Sequence, residues 1–281
     1  MALGPWIGEI NNRLGVVLKF KLKKVLHEKK SRNFSIVVAE TEPLGRMLLL
    51  GENSNMTIQT AEKYDFYDEM LAHIPMSAHP NPRHILIIGG GDGVILREVL
   101  KYDTVEKVVV AEIDRFVIEA SKNYLRLDNG AFDDPRVEIV IGDAAKYVER
   151  ADSKFDIIIG DYSDPYEDTV AGSLISQEFY LNIKRIMRPE SIAVFQAGSP
   201  LFQSEIFRKM YIRLLNIFRI VKPFWTVVPY YPGALWVFLA VSDKVDPSKP
   251  IRNPPSNTIF YNSEIHRTAF VLPRIVRMLL N

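Results

Sequence analysis

The segment that most restricts the fold is His84–Gly93, where the apolar run Ile85-Leu86-Ile87-Ile88 passes directly into Gly89-Gly90-Gly91-Asp92-Gly93. A strand this apolar is buried on both faces, and glycines directly after it let the backbone turn tightly against a ligand while the next helix offers unpaired amides. The alternation continues downstream. Strands are predicted at His84–Ile88, Lys107–Ile113, Val137–Ile141, Phe155–Gly160 and Ile192–Gln196. Helices are predicted at Val94–Lys101, Arg115–Tyr124, Ala144–Glu149, Gln177–Met187 and Ser204–Ile217. Apolar strands separated by amphipathic helices indicate a parallel sheet covered on both sides.

Two further strands, Trp225–Tyr230 and Leu235–Val241, are separated only by Tyr231-Pro232-Gly233-Ala234. That is too short for a parallel crossover, so an antiparallel hairpin is expected. Five parallel strands ending in a hairpin suggest the Rossmann-like α/β sheet of AdoMet-dependent enzymes rather than that of an NAD dehydrogenase.

Upstream the pattern is short and alternating, with Val17–Lys23, Phe34–Ala39 and Arg46–Leu50 as strands and a turn at Pro43 and Gly45. This is antiparallel strand chemistry. Lys19, Lys21, Lys23, Lys24, Lys29 and Lys30 could be an anion patch, but lysines at period two more commonly form the solvated face of a half-buried strand. Phe66, Met70, Leu71 and Ile74 then fit one helical face that ends before Pro75, and the proline-containing stretch Ala78–Pro82 resembles a junction. The expected organisation is a smaller N-terminal antiparallel β domain, residues 1–65, followed by a catalytic domain, residues 66–281.

Composition narrows the function. With 35 Lys plus Arg against 34 Asp plus Glu, the net charge of +1 gives no electrostatic reason to expect nucleic acid or an anionic membrane as partner. The absence of cysteine removes disulfides, thiolate metal sites and cysteine nucleophiles, and suits a reducing compartment. No run approaches the roughly 20 apolar residues of a membrane span, and MALGPWIGEINNRLG lacks a basic stretch followed by an apolar signal core. The expectation is a soluble, unsecreted, cytoplasmic protein.

The chemistry gathers at strand ends. The glycine turn lacks the third glycine of the dinucleotide pattern and places Asp92 where a pyrophosphate would approach, which suits a cationic ligand better. Glu112, 21 residues after Gly91, stands where an acid accepts from ribose hydroxyls, and Asp143 where one accepts from an adenine amino group. Helix N-capping is the competing reading of either acid alone. The fourth strand leads into Asp161-Tyr162-Ser163-Asp164-Pro165, putting two more carboxylates at the same sheet edge. For Asp164 alone an Asx-turn before proline would suffice. Tyr67, Asp68, Tyr230 and Tyr231 are candidates only as a set.

On this set the chain resembles the spermidine synthase family of polyamine aminopropyltransferases, from about Ser31 onward. The matching stretches are HPNPRHILIIGGGDG, REVLKY, VEKVVVAEID, DDPRVEIVIGDA, FDIII, the D-x-S-D-P pattern, Ser263-Glu264-Ile265-His266 and Ala269-Phe270-Val271-Leu272-Pro273. The resemblance implies a β domain, a Rossmann-like catalytic domain, a homodimer or homotetramer, and transfer of an aminopropyl group from decarboxylated AdoMet to a small-molecule amine. It implies Asp161 as catalytic acid–base residue and Asp164 as the acid holding substrate amine. Asp92 would contact the donor's ammonium, Glu112 its ribose, Asp143 and Ala144 its adenine, and Gly89 and Gly91 would bound its pocket. Tyr67 and Tyr231 would orient the amine, and Gln59 would line the donor site.

That chemistry needs no metal and no covalent intermediate, since a neutral amine held in line attacks a methylene bound to sulfonium. An alkylammonium must first lose a proton, and burial narrows its pKa gap to a carboxylate, so Asp161 is the general-base candidate.

Four departures mark this chain. Phe34 replaces a family glutamine, Asp68 a histidine or glutamine, and Val94 the last glycine of the turn. Tyr166-Glu167-Asp168-Thr169-Val170-Ala171-Gly172 replaces a shorter V-G-P-A loop. Asp68 and the loop both bear on the amine side, so an acceptor with a second cation, such as agmatine or a longer polyamine, is expected over plain putrescine. The rival readings are an AdoMet methyltransferase of the same sheet, which Asp92 opposes because it would face a carboxylate, and a non-catalytic polyamine-binding paralogue.

Overall fold

The computed structural model describes residues 5–52, 54–166 and 168–280; Met1 to Gly4 of the opening stretch and Glu167 of the loop lie outside them. Five antiparallel strands open the chain: β1 (Trp6–Asn11), β2 (Val16–Lys30), β3 (Ser35–Thr41), β4 (Gly45–Glu52) and β5 (Asn55–Ala61). They pair in sequence and close into a barrel where Ile10 of β1 meets Met56 of β5. Alternation carries Ile36, Val38, Leu48 and Leu50 to one side and Val37, Ala39, Met47 and Leu49 to the other, and both sets are buried. The barrel wall at β3 and β4 therefore packs on a second layer as well as on the barrel interior.

Two of these strands, β1 and β5, were not expected from the sequence, and β2 runs on to Lys30. Three of the β2 lysines form a solvated, ion-paired face: Lys21 reaches Glu42 at 2.8 Å, and Lys23 and Lys24 reach Glu40 at 3.2 and 3.6 Å, while Lys29 lies over the Phe116 ring. Of the apolar start, Ile7 is spent inside the protein's own core, whereas Trp6 is 45% exposed.

The helix α1 (Phe66–Ala78) follows, and it runs through Pro75 instead of ending before it. Proline costs one helical hydrogen bond. Here almost every residue of the helix is buried, so packing on all faces outweighs that loss. Glu69 also ties the far end of the chain to α1, accepting from the backbone N–H groups of Ile259, Phe260 and Tyr261 at 2.7, 2.9 and 2.8 Å.

Strand and helix then alternate: β6 (His84–Gly89), α2 (Val94–Val99), β7 (Lys107–Glu112), α3 (Arg115–Ala120) with a π turn over Ser121–Leu125, β8 (Val137–Ile141), α4 (Ala144–Arg150), β9 (Phe155–Asp161), α5 (Gln177–Ile186), β10 (Met187–Gln196), α6 (Ser204–Leu215), β11 (Ile220–Val227) and β12 (Leu235–Ser242). The sheet order is β11-β12-β10-β9-β6-β7-β8, with the strands from β10 to β8 parallel and β12 antiparallel to both neighbours. This is the expected Rossmann-like sheet with its terminal hairpin. The first hairpin strand spans Ile220–Val227 instead of the expected Trp225–Tyr230, and Tyr230 lies in the connection, buried and outside the ladder.

Short helices α7 (Ser263–Ala269) and α8 (Arg274–Met278) close the chain. In Ser263–His266 the chemistry is structural: Asn262 caps α7 by accepting from Glu264 and Ile265 N–H, and buried His266 lies between the Tyr261 hydroxyl at 2.7 Å and the Pro247 carbonyl at 2.9 Å.

Candidate active site

The C-terminal edge of the parallel strands faces the barrel across a cleft of about 1120 Å³, open solvent at its mouth included. Ligands of open α/β sheets bind at this edge, outside the strand ends. Gly89 to Asp92 come from the turn after β6, Glu112 from the end of β7, Asp143 and Ala144 from the start of α4, and Asp161 and Asp164 from the end of β9 and its loop. Tyr67 enters from α1, Tyr231, Pro232 and Trp236 from the hairpin, and Phe34, Leu48, Leu50 and Gln59 from the barrel.

The glycine turn shows why this local sequence is required. Gly93 adopts φ +80° as the residue before α2, and a Cβ there would strike Asp128 and Phe132 at 2.6 Å. Val94 is already the first helical residue, buried at 1%, so it needs no left-handed conformation. A Cβ on Gly91 would meet Glu112 Oε2 at 2.7 Å, so the bare backbone leaves room for that carboxylate. Asp92 accepts from Val94 N–H at 2.8 Å and Glu112 from Asp114 N–H at 2.9 Å. Asp143 caps α4 by accepting from Ala145 N–H at 2.9 Å while still lining the cleft, so it holds both the capping and the cleft position.

Asp92, Glu112, Asp161 and Asp164 are strongly perturbed because they are close and buried. Burial, reinforced by the charge of Asp92, pushes the Asp161 carboxyl up to about 8, although the Tyr67 hydroxyl donates to its Oδ1 at 2.8 Å and opposes the shift. Burial raises Asp92 to about 6, Glu112 to about 7 and Asp164 to about 6. Burial and the Asp161 charge push the Tyr67 phenol well up. Tyr231 donates to the Gln59 carbonyl at 2.5 Å and meets Tyr67 edge-on at 5.7 Å, joining hairpin, barrel and α1 at one corner.

Asp68 does not reach the cleft wall. It is 2% exposed, directly behind Asp92 and Asp161, with one oxygen of each of the three carboxyls within 4.8 Å of the others. Phe34, buried among Ile36, Val94 and Val117, gives the cleft an apolar face.

Two residues that sequence reasoning missed belong to the same cleft. Glu9, on β1, lies 3% exposed with burial and the Asp164 charge lifting it to about 7. Gln203, just before α6, bonds the Tyr166 hydroxyl at 3.1 Å. The signal for Glu9 was an acid in phase with Ile7 on a strand whose other residues are mostly apolar; Gln203 carried none. The 166–172 loop is strapped to the barrel: the Arg13 guanidinium lies 4.0 Å over the Tyr166 ring and pairs with Asp168, and Val170 N–H donates to Glu52 at 2.6 Å.

The charge pattern is one-sided. Among the described residues lining the cleft are six acids, Glu9, Asp92, Glu112, Asp143, Asp161 and Asp164, and no Lys, Arg or His.

Comparison with known proteins agrees with this geometry. A family model described as "Spermine/spermidine synthase domain" matches residues 64–250. A protein of Thermoanaerobacter pseudethanolicus named polyamine aminopropyltransferase is 39% identical over 275 residues, covering 97% of both chains. One of Moorella thermoacetica with the same name is 38% identical over 279 residues, covering 99% of this chain and 96% of that one. A spermidine synthase crystallised with the transition-state analogue AdoDATO superposes with a TM-score of 0.90 at 35% identity, covering 98% of this chain and 94% of that one. Spermidine synthase from Thermotoga maritima gives 0.88 at 35% identity, with 98% and 93% covered. A cleft built from the ends of these strands, on a fold shared along nearly its whole length, places the chain in the spermine/spermidine synthase family.

Proposed function

We propose that this protein transfers the aminopropyl group of decarboxylated AdoMet to a primary amine of the polyamine class, releasing 5′-methylthioadenosine. The observation that carries this reading is the cleft wall of six acids without a protein cation. Both co-substrates are cationic, and ordinary AdoMet would set its carboxylate against Asp92. That disfavours a methyltransferase of the same sheet.

In this reading Asp92 holds the donor's ammonium, Glu112 its ribose, and Asp143 with Ala144 its adenine, while Gly89, Gly91 and Gln59 bound the pocket. Asp161 takes the proton. At about 8 its carboxyl is far closer to an alkylammonium than a solvated aspartate is, so the transfer is feasible as the nitrogen lone pair closes on carbon and the C–S pair leaves with sulfur. Tyr67 and Tyr231 hold the nitrogen in line, and no step calls on a metal. Glu9 beside Asp164 adds a second acid, which supports an acceptor offering more than putrescine's single far ammonium, either the multi-donor guanidinium of agmatine or the additional ammonium of a longer polyamine. The division at residues 65 and 66 into β and catalytic domains, a homodimer or homotetramer and a cytoplasmic location belong to the same proposal; among the described residues no helix is long and apolar enough to cross a membrane.

The test offers the enzyme AdoMet or its decarboxylated form with putrescine, cadaverine, agmatine and spermidine, and identifies the nucleoside product. Methylthioadenosine from the decarboxylated donor is expected, with kcat/KM higher for agmatine or spermidine than for putrescine or cadaverine. S-adenosylhomocysteine would overturn the reaction class, and a clear putrescine preference the acceptor.

A further inference from the structure

The transfer chemistry leaves Asp68 unused. α1 carries it inward one residue after Tyr67, where it approaches two acids from two other elements, Asp92 after β6 and Asp161 at the end of β9. Among the described residues no uncommitted cation neutralises it. Arg97, on α2, is the cation that acts on it, but its donors are engaged by Asp65 at 2.6 Å, Glu98 at 2.8 Å and the Leu127 carbonyl at 2.9 Å. From β5, Thr60 Oγ1 reaches Asp68 only at 3.5 Å, the long limit of a hydrogen bond. The neighbouring phenols are Tyr67 and Tyr231, bonded to Asp161 and to the Gln59 carbonyl, and Tyr230. The Tyr230 hydroxyl is fully buried beside Thr60 and feels Asp68 more strongly than any other charge.

Three negative charges so placed, the innermost shut away from water, repel too strongly to coexist, and one carboxyl must keep its proton. Asp92 and Asp161 line the cleft, where cationic substrates stabilise their charge; Asp68 is shut behind them.

Resting on the reaction proposed above, we propose that Asp68 acts as a neutral, proton-bearing positioning residue: its O–H points toward the Asp92–Asp161 pair and holds the donor-binding acid and the general base in one arrangement. Two charged carboxylates then face the substrates. In the transfer the amine's proton goes to Asp161, and Asp68 keeps its own. Where the family resemblance has histidine or glutamine, both able to donate N–H while uncharged, this chain supplies a donor of a different kind. Burial, then the charges of Asp92 and Asp161, push Asp68 well above the usual carboxylate range, in accord with this.

The test is infrared spectroscopy of the substrate-free protein, which needs no turnover. Expected is a protonated-carboxyl band that shifts in D2O, persists at a pH where Asp161 has ionised, and is lost in Asp68→Asn. Selective 13C-labelling of aspartate in the wild type gives the same readout if the variant does not fold. In kinetics, Asp68→Ala is expected to lower kcat by about tenfold or more, and the neutral donor in Asp68→Asn to restore most of it. Absence of the band, or an Asn variant as impaired as the Ala variant, overturns the proposal. No turnover by the wild type with the band intact would instead overturn the reaction.

Discussion

Tyr67→Phe removes a side-chain hydrogen bond made to the carboxyl of the proposed base. The phenyl ring keeps the contacts with Tyr231 at 5.7 Å and Phe238 at 5.1 Å, so the cavity shape is retained and only the 2.8 Å donation to Asp161 Oδ1 is removed. A hydrogen bond to an ionised group is worth roughly 1.5–3 kcal/mol, and one pKa unit corresponds to about 1.4 kcal/mol, so the ionised form of Asp161 loses support equivalent to about one to two units. The carboxyl starts at about 8, so the acid limb of kcat/KM, which reports the free enzyme, should move to roughly 9 or above. The assay is the ratio of variant to wild-type kcat/KM measured across pH with one amine, because the titration of the amine itself cancels in that ratio. Near neutrality the ratio should be about one tenth or lower, and it should climb toward unity once both enzymes are ionised. A ratio that is low and flat at every pH would mean that Tyr67 only orients substrate, and would refute its role in stabilising the base. A ratio near one throughout would refute both roles.

Glu112→Gln should show the opposite sign in stability. Glu112 is raised from 4.5 to about 7, so the folded protein binds more protons than the unfolded chain in that window and loses stability as pH rises through it. By about pH 8 the substrate-free wild type should have given up on the order of 3 kcal/mol that the Gln variant keeps, read from urea melts at about pH 5 and pH 8; parallel curves would count against a neutral Glu112. Asp92→Asn should raise KM for the decarboxylated donor about tenfold or more with little change for the acceptor, and equal effects on both would move Asp92 out of the donor site. Arg13→Ala frees the 166–172 loop from an exposed contact, so Tm should barely move while acceptor KM rises several-fold and Val170 N–H exchanges faster, whereas unchanged exchange would show that Glu52 alone holds the loop.

The parallel sheet was legible because its central strands are buried on both faces, and a continuous apolar run such as Ile85–Ile88 admits few other placements; only the edge strand β8 leaves Ile139 and Ile141 exposed. The barrel was only half legible. In β1 the sequence Trp-Ile-Gly-Glu-Ile-Asn puts Glu9 and Asn11 in phase with Ile7, and all three point inward, so the polarity pattern carried no strand signal where the fold has a strand. Pro75 misled for a related reason, since a local rule about helix ends was overruled by burial on every side of α1.

The strand-end acids could be read because chain position alone delivers them to one edge of the sheet, whatever the side chains do next. Asp68 shows the limit of that reasoning. Adjacent to Tyr67 in sequence, it was assigned to the same substrate surface, yet one helical step turns it about 100° and carries it behind the wall that Tyr67 lines. Net charge failed in the same way. A chain carrying 35 basic and 34 acidic side chains gave no hint of a cationic ligand, because the cations are held on the outer surface and in ion pairs while six acids converge on one cleft. What selects a polyamine-class substrate is this segregation, a property of tertiary structure to which a sum over residues is blind.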